Sequence, residues 1–147
     1  MPRVDFYVLS DDVTDARLRY ACRLAEKAVE LGHRVFVRLN SPAEAERLDE
    51  LLWTFNDRSF LPHAIWQEGD AAPHASVKIL MGVAASPPTH RELLINLAEQ
   101  LPGDLDSFER VAEIVDVDPE RRRTSRERYK QYRERGCTLE THTLAGG

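Results

Sequence analysis

Apolar and polar positions alternate along the chain in blocks that switch period. Val4-Asp5-Phe6-Tyr7-Val8-Leu9 is a short run rich in β-branched and aromatic residues, which predicts a buried strand. Ser10, Asp11 and Asp12 follow as capping residues, and Thr14 to Leu31 carries apolar side chains at Ala16, Tyr20, Leu24, Ala28 and Leu31. Steps of three and four predict a helix, and Gly32 ends it. His33 to Leu39 alternates at Val35, Val37 and Leu39, with Phe36 as the exception, and predicts a second strand. Strand, helix and strand at this length make a parallel crossover unit.

Ser41-Pro42 opens the next helix, with a capping hydroxyl followed by proline in the first turn. Ala45, Leu48, Leu51 and Leu52 give it an apolar stripe that ends at Trp53 and Phe55. Loops are expected over 56–62 and 67–76, and a turn at 86–88. Short strands are expected at 64–66, 77–81 and 92–97. Residues 108–117 fit a helix through Phe108, Val111, Ile114 and Val115, or one strand face through Val111, Glu113, Val115 and Val117. The helix signal from Pro119 to Arg135, closed by Gly136, favours the strand. Cys137 to Leu144 alternates as a last strand. The sum is a three-layer α/β domain with a largely parallel sheet over residues 1–144, and a frayed tail over 145–147.

Composition narrows the function classes. The 147 residues are enough for one domain, and no apolar run approaches the roughly 18–20 residues of a membrane helix, so no membrane contact and a cytoplasmic site are expected. The opening residues lack the pattern of a secretion signal. Cys22 and Cys137 are too few and too far apart for a disulfide framework or a zinc site. A net charge of −5 argues against a generic DNA-coating protein.

The sheet invites a nucleotide, but the local chemistry does not. The turn Leu9-Ser10-Asp11-Asp12-Val13-Thr14 has no glycine to bring backbone N–H groups to a phosphate, and its acids would repel one. No Walker Lys-Ser/Thr pair and no G-x-S-x-G elbow occurs, and the five histidines show no metal-ligand spacing. No cofactor, metal or catalytic residue is therefore expected. Asp11, Asp12 and Asp15 are read as helix-start residues.

Two features remain. Residues 52–63 concentrate Trp53, Phe55, Phe60, Leu61 and Pro62 at a helix end and loop, with Trp66 just beyond. They either anchor a protein partner or cover the sheet edge. The Pro119–Arg135 helix carries eight basic residues against three acids. Arg122, Arg126, Lys130 and Arg133 share a face by steps of four, four and three, with Tyr129 beside them. That face suits an acidic ligand, or else it is a solvated helix flank.

These two blocks, LDELLWTFNDRSFLPH and RERYKQYRERGCTLETHTL, together with the opening VDFYVLSDD, resemble the chi subunit family of bacterial DNA polymerase III. The resemblance implies a non-catalytic replisome adaptor with a Rossmann-like fold and no working nucleotide site. It implies two partners: the psi subunit of the clamp loader, and the acidic C-terminal tail of single-stranded-DNA-binding protein. DNA would be reached only indirectly. By resemblance the tail site is Arg126, which takes the terminal carboxylate, with Tyr129, Lys130 and a further basic residue, Arg122 or Arg123. Val117 supplies its apolar wall. The psi contact is assigned to Trp53, Phe60 and Pro62. The alternatives are a degenerate nucleotide-dependent enzyme using the acids near Asp11 and Asp12, and direct nucleic-acid binding through the arginine helix.

Overall fold

A computed structural model describes residues 2–10, 12–56 and 60–144. Seven strands form one sheet: β1 (Arg3–Leu9), β2 (Val35–Arg38), β3 (His63–Ile65), β4 (Ile79–Gly82), β5 (Leu93–Asn96), β6 (Arg110–Val115) and β7 (Thr138–Leu144). Their spatial order is β3-β4-β2-β5-β6-β1-β7, and every pairing is parallel. Three helices connect them: α1 (Ala16–Glu30), α2 (Pro42–Thr54) and α3 (Pro119–Glu134). Cluster membership puts α1 and α2 on one face of the sheet and α3, with a 3₁₀ turn at Leu105–Ser107, on the other. The frayed tail expected at 145–147 lies outside the described residues.

The ambiguous 108–117 stretch is strand β6, as its period-two pattern suggests. Phe36 breaks the alternation of β2 for a physical reason. A central parallel strand is covered on both faces, so its side chains are apolar on both. Phe36 is buried on the α3 side, while Val35 and Val37 are buried on the α1 side.

The helix starts follow local chemistry. Ser41 Oγ accepts from Glu44 N at 3.2 Å, and Glu44 Oε1 accepts from Asn40 N at 2.9 Å, which satisfies two free donors at the head of α2. Asp118 Oδ2 accepts from Arg121 N at 2.9 Å, with Pro119 in the first turn of α3. Gly32 and Gly136 follow α1 and α3 with φ of 87° and 83°, a left-handed geometry that glycine adopts without a Cβ penalty.

Two expectations for α1 are corrected. Ser10 and Asp12 do not cap it (Asp11 lies outside the described residues). The N-cap is Asp15, held left-handed at φ 59°, and its side chain makes no capping bond. It instead accepts from Arg47 Nε at 3.0 Å, which fastens the β1–α1 turn to α2. The stripe Ala16, Tyr20, Leu24, Ala28 and Leu31 is only part of the packing face: Ala28 is buried, Ala16, Tyr20 and Leu24 are half-buried against the core, and Leu31 is exposed. The buried face is Leu18, Ala21, Cys22, Ala25 and Ala28. Small residues let the helix axis come close to the sheet, and this rolls Tyr20 and Leu24 to a half-buried flank and leaves Leu31 exposed.

Under α3 lies a buried polar cluster. The Glu113 carboxylate, fully buried on β6, accepts from Arg128 Nε at 3.1 Å, Tyr132 OH at 2.6 Å and Asn96 Nδ2 at 2.8 Å. Arg128 NH1 also donates to Glu99 O at 3.1 Å. Burial, and then the Glu113 charge, push the Tyr132 phenol well above its ordinary value, so it stays a donor. Removing one partner of a buried ion pair leaves a charge in a low-dielectric interior. Arg128→Ala should therefore destabilise the fold by about 3–5 kcal/mol in urea unfolding. Arg126→Ala, on the exposed flank of the same helix, should stay within about 0.5 kcal/mol of wild type.

Candidate functional site

The eight basic residues of α3 and its C-cap, Arg135, fall into two groups. Arg121, Arg122, Arg123 and Arg128 are engaged within the chain. Arg121 grips Asp116 with two bonds, Nε to Oδ1 at 2.9 Å and NH2 to Oδ2 at 2.7 Å. Arg122 donates from Nε to Asp116 O at 2.9 Å and from NH2 to Leu9 O at 3.1 Å, which ties the exits of β6 and β1 together. Arg123 pairs with Glu120 and Glu127 on the surface.

The side chains of Arg126, Lys130, Arg133 and Arg135 form no ion pair with another described residue. Arg126 and Lys130 stand one turn apart on the exposed side. Tyr129 lies between them in sequence and turns inward. It is half-buried, with its ring centroid 5.2 Å from that of Phe6, and Leu139 of β7 packs on the same cluster. The arrangement is a charged rim beside an aromatic surface.

The structure groups the other expected residues differently. Arg122 points at backbone carbonyls, and Arg123 is held by two glutamates. Val117 is exposed in the turn before α3 and lines a recess with Val13, Asp116 and Arg121. About 15 Å of helix rise separates Pro119 from Tyr129, so Val117 is not a wall of the Arg126–Tyr129–Lys130 surface. Leu139 is the apolar neighbour that sequence reasoning missed; its signal is its place on the α3 face of β7, opposite Val4 of β1.

The aromatic block divides. Leu61 and Trp66 are buried in the two cores, whereas Trp53 and Phe60 are 54% and 69% exposed. Their ring centroids are 5.5 Å apart, and Trp53 stands edge-on to His63 at 4.8 Å. His63 Nδ1 lies 2.6 Å from Leu61 O, which holds the ring under the tryptophan, and its Nε2 lies 3.1 Å from Asp49 Oδ1. Pro62 is half-buried at the foot of the same patch. Residues 57–59 of the block lie outside the described residues. The pair sits beside β3, the edge strand.

The crevice at the carboxyl ends of the strands is where doubly wound sheets take ligands. Here Arg17, Asn40 and Arg128 line it, and each donates to a backbone carbonyl just after β5: Arg17 NH2 to Leu97 O at 2.6 Å, Asn40 Nδ2 to Leu97 O at 3.3 Å, and Arg128 to Glu99 O. Asp5, Glu140 and His142 bring ligand atoms within 4.8 Å of one another. Asp5 is already bound by two guanidiniums, Arg110 at 3.0 Å and Arg3 at 3.4 Å, with His142 Nε2 at 3.0 Å. Cationic neighbours at that carboxylate do not suit a metal ion.

Fold and surface thus define an α/β protein whose two prominent unsatisfied features are a basic helix flank and an exposed aromatic pair. The sequence profile of the family described as DNA polymerase III chi subunit, HolC, matches residues 1–140. Proteins named DNA polymerase III subunit chi are similar along nearly their whole length. The one from Pseudomonas aeruginosa is 41% identical over 144 residues, covering 98% of each chain. The Escherichia coli K12 protein is 32% identical over 147 residues, covering 97% of this chain and 99% of the relative. The Haemophilus influenzae protein is 31% identical over 139 residues, covering 95% of each. The chain belongs to the DNA polymerase III chi subunit family, and is a DNA replication component. Among the described residues, no helix is long and apolar enough to cross a membrane.

The Asp116–Arg121 grip at the head of α3 carries a pH signature. Burial raises the Asp116 carboxyl, but the Arg121 bonds and charge, helped by Arg17, outweigh it and hold it below its ordinary value. A depressed native value means stabilisation that is present above the unfolded value, about 3.9, and lost as pH falls through the native one. The urea midpoint of Asp116→Asn should lie below wild type at pH 7, and the gap should close as pH falls below about 4.

Proposed function

We propose that this chain is the replisome adaptor that joins the polymerase assembly to single-stranded-DNA-binding protein through that protein's acidic C-terminal tail, and to the clamp loader through the psi subunit. The observation that carries the tail reading is the unpaired state of Arg126 and Lys130 beside the half-buried Tyr129. Elsewhere on α3, Arg121, Arg123 and Arg128 pair with acidic neighbours, while the other two unpaired cations, Arg133 and Arg135, lie at the helix end. Two cations left unpaired, one turn apart against an aromatic surface, suit a peptide end with a carboxylate and an apolar last side chain. Arg126 forks onto the carboxylate, Lys130 attracts the tail's acids, and the Tyr129–Leu139 side receives the apolar group. Arg122 and Arg123 act behind this pair, the first by fixing the helix to the strand exits and the second by adding charge at the flank.

The psi reading rests on Trp53 and Phe60, which expose paired rings at a sheet edge, where aromatic anchors commonly seat in a partner's pocket. Pro62 stiffens the loop that carries Phe60. Salt should weaken the tail contact more than the aromatic one, because exposed charges are screened over about 10 Å at 0.1 M ionic strength.

Calorimetric titration with a tail peptide tests the first contact. Arg126→Ala should weaken binding roughly 10- to 150-fold, the equivalent of about 1.5–3 kcal/mol for a hydrogen bond to a charged group, and amidating the terminal carboxylate should do likewise. Unchanged affinity in either case overturns the assignment. For the second contact, Trp53→Ala or Phe60→Ala should weaken psi binding about 30-fold, an anchor-sized loss, with little change in thermal stability because both rings are exposed.

A further inference from the structure

An all-parallel sheet normally has helices over both faces. Here the α1 face is covered over β2, β5 and β6, while on β1 and β7 Asp5 and Leu9 are buried but Tyr7, His142 and Leu144 are only half-buried beside α1. The reason is topological. The connection into β7 is α3, which runs over the opposite face, so the chain supplies no helix for this strip. Two strands at about 4.8 Å spacing leave a channel about 10 Å wide, the diameter of one helix.

The walls of the strip have a definite chemistry. Its floor is Tyr7 and Leu9 of β1 with His142 and Leu144 of β7, and Tyr7 stacks on His142 at 4.9 Å. Its side is the half-buried apolar flank of α1: Tyr20, 5.5 Å from Tyr7, and Leu24, with Val13 and Leu31 at the two ends, 54% and 67% exposed. Asp5, Tyr7, Tyr20, Leu24 and Lys27, with Arg110 and Ala112 of β6, line a groove of about 540 Å³, and Leu9, Val13, Tyr20 and Leu144 line a smaller depression beyond Tyr20. Above the flank runs a ridge of Arg19, Arg23 and Lys27, one cation per turn, about 6 Å apart along the axis. None of the three forms an ion pair with a described residue, and the Arg19 side chain donates to Thr14 O. At the far end Asp5 and Glu92 are held by arginines, and Glu109 stands at the mouth.

We propose that this strip docks an amphipathic helix of a partner protein, with an apolar stripe on the floor and acidic residues on the flank that meets Arg19, Arg23 and Lys27. The helix completes the layer that the chain's own topology omits. The acids at the far end, Asp5, Glu92 and Glu109, disfavour nucleic acid. The width disfavours a single extended tail, and the surface is separate from the Arg126 flank of α3 on the opposite face.

The test is a titration of isotope-labelled full chain, followed by amide chemical shifts. The probe is an 18-residue capped peptide with leucines at i, i+3, i+4 and i+7 spacing and glutamates on one flank. A lysine-for-glutamate version of the peptide and a 12-mer of oligothymidylate serve as rivals. The expected result is perturbation of Tyr7, Tyr20, Leu24 and His142 by the acidic peptide. Affinity should fall at least tenfold in Arg23→Glu/Lys27→Glu, both exposed and outside the core, and should not change in Arg126→Ala. No binding of the acidic peptide, equal binding of the lysine version, shifts confined to α3, or preference for the oligonucleotide would each overturn the proposal. Loss of binding in Arg126→Ala alone would place the peptide on the tail surface instead.

Discussion

The buried Glu113 carboxylate is the constraint on which the α3 side of the molecule depends. It lies on a central strand with no exposure, so each oxygen must find donors within the protein. Arg128 and Tyr132, four residues apart on α3, and Asn96 at the end of β5 supply them. This fixes the rotation of α3 about its axis. With Arg128 and Tyr132 turned inward, Tyr129 is brought against Phe6, and Arg126 and Lys130 are turned to solvent. The exposure of the basic flank is thus set from underneath, by a charge that the solvent never sees.

A second set of contacts fixes where α3 begins. Asp116 holds Arg121 by two bonds while its backbone carbonyl takes Arg122, and Arg122 reaches on to Leu9 O at the end of β1. A helix that is fixed in rotation by one cluster and in position by another holds its outer side chains in register with the sheet. Preorganisation of this kind lowers the ordering cost of binding.

Most of the architecture is legible in the sequence because its signals are local. Ser41-Pro42 and Asp118-Pro119 mark helix starts, Gly32 and Gly136 mark ends, and period-two runs mark the strands. What was not legible depends on distant partners. The α1 stripe was misplaced because a helical period counts apolar residues without asking which of them are small. Ala21 and Ala25 win the core position by permitting close approach, and the larger Tyr20 is left half-buried and Leu31 exposed. The basic run of α3 hid the distinction between Arg128, which is buried, and Arg126, which is not. A single charged residue at an apolar strand position, Glu113, was the available hint. Val117 sits near the basic helix in sequence but at its far end in space. The split between Trp66 inside and Trp53 outside follows from β3, which carries one toward the core while α2 ends with the other at the edge.

The strand order has one further effect. β3, next to the aromatic pair, and β7, next to α3, are the two outermost strands, separated by six inter-strand steps. At about 4.8 Å per step the two margins stand roughly 29 Å apart. A continuous hydrogen-bonded sheet connects them, without a hinge between. The distance between the aromatic pair and the basic helix flank is therefore set as in a strut, by the sheet rather than by a flexible linker.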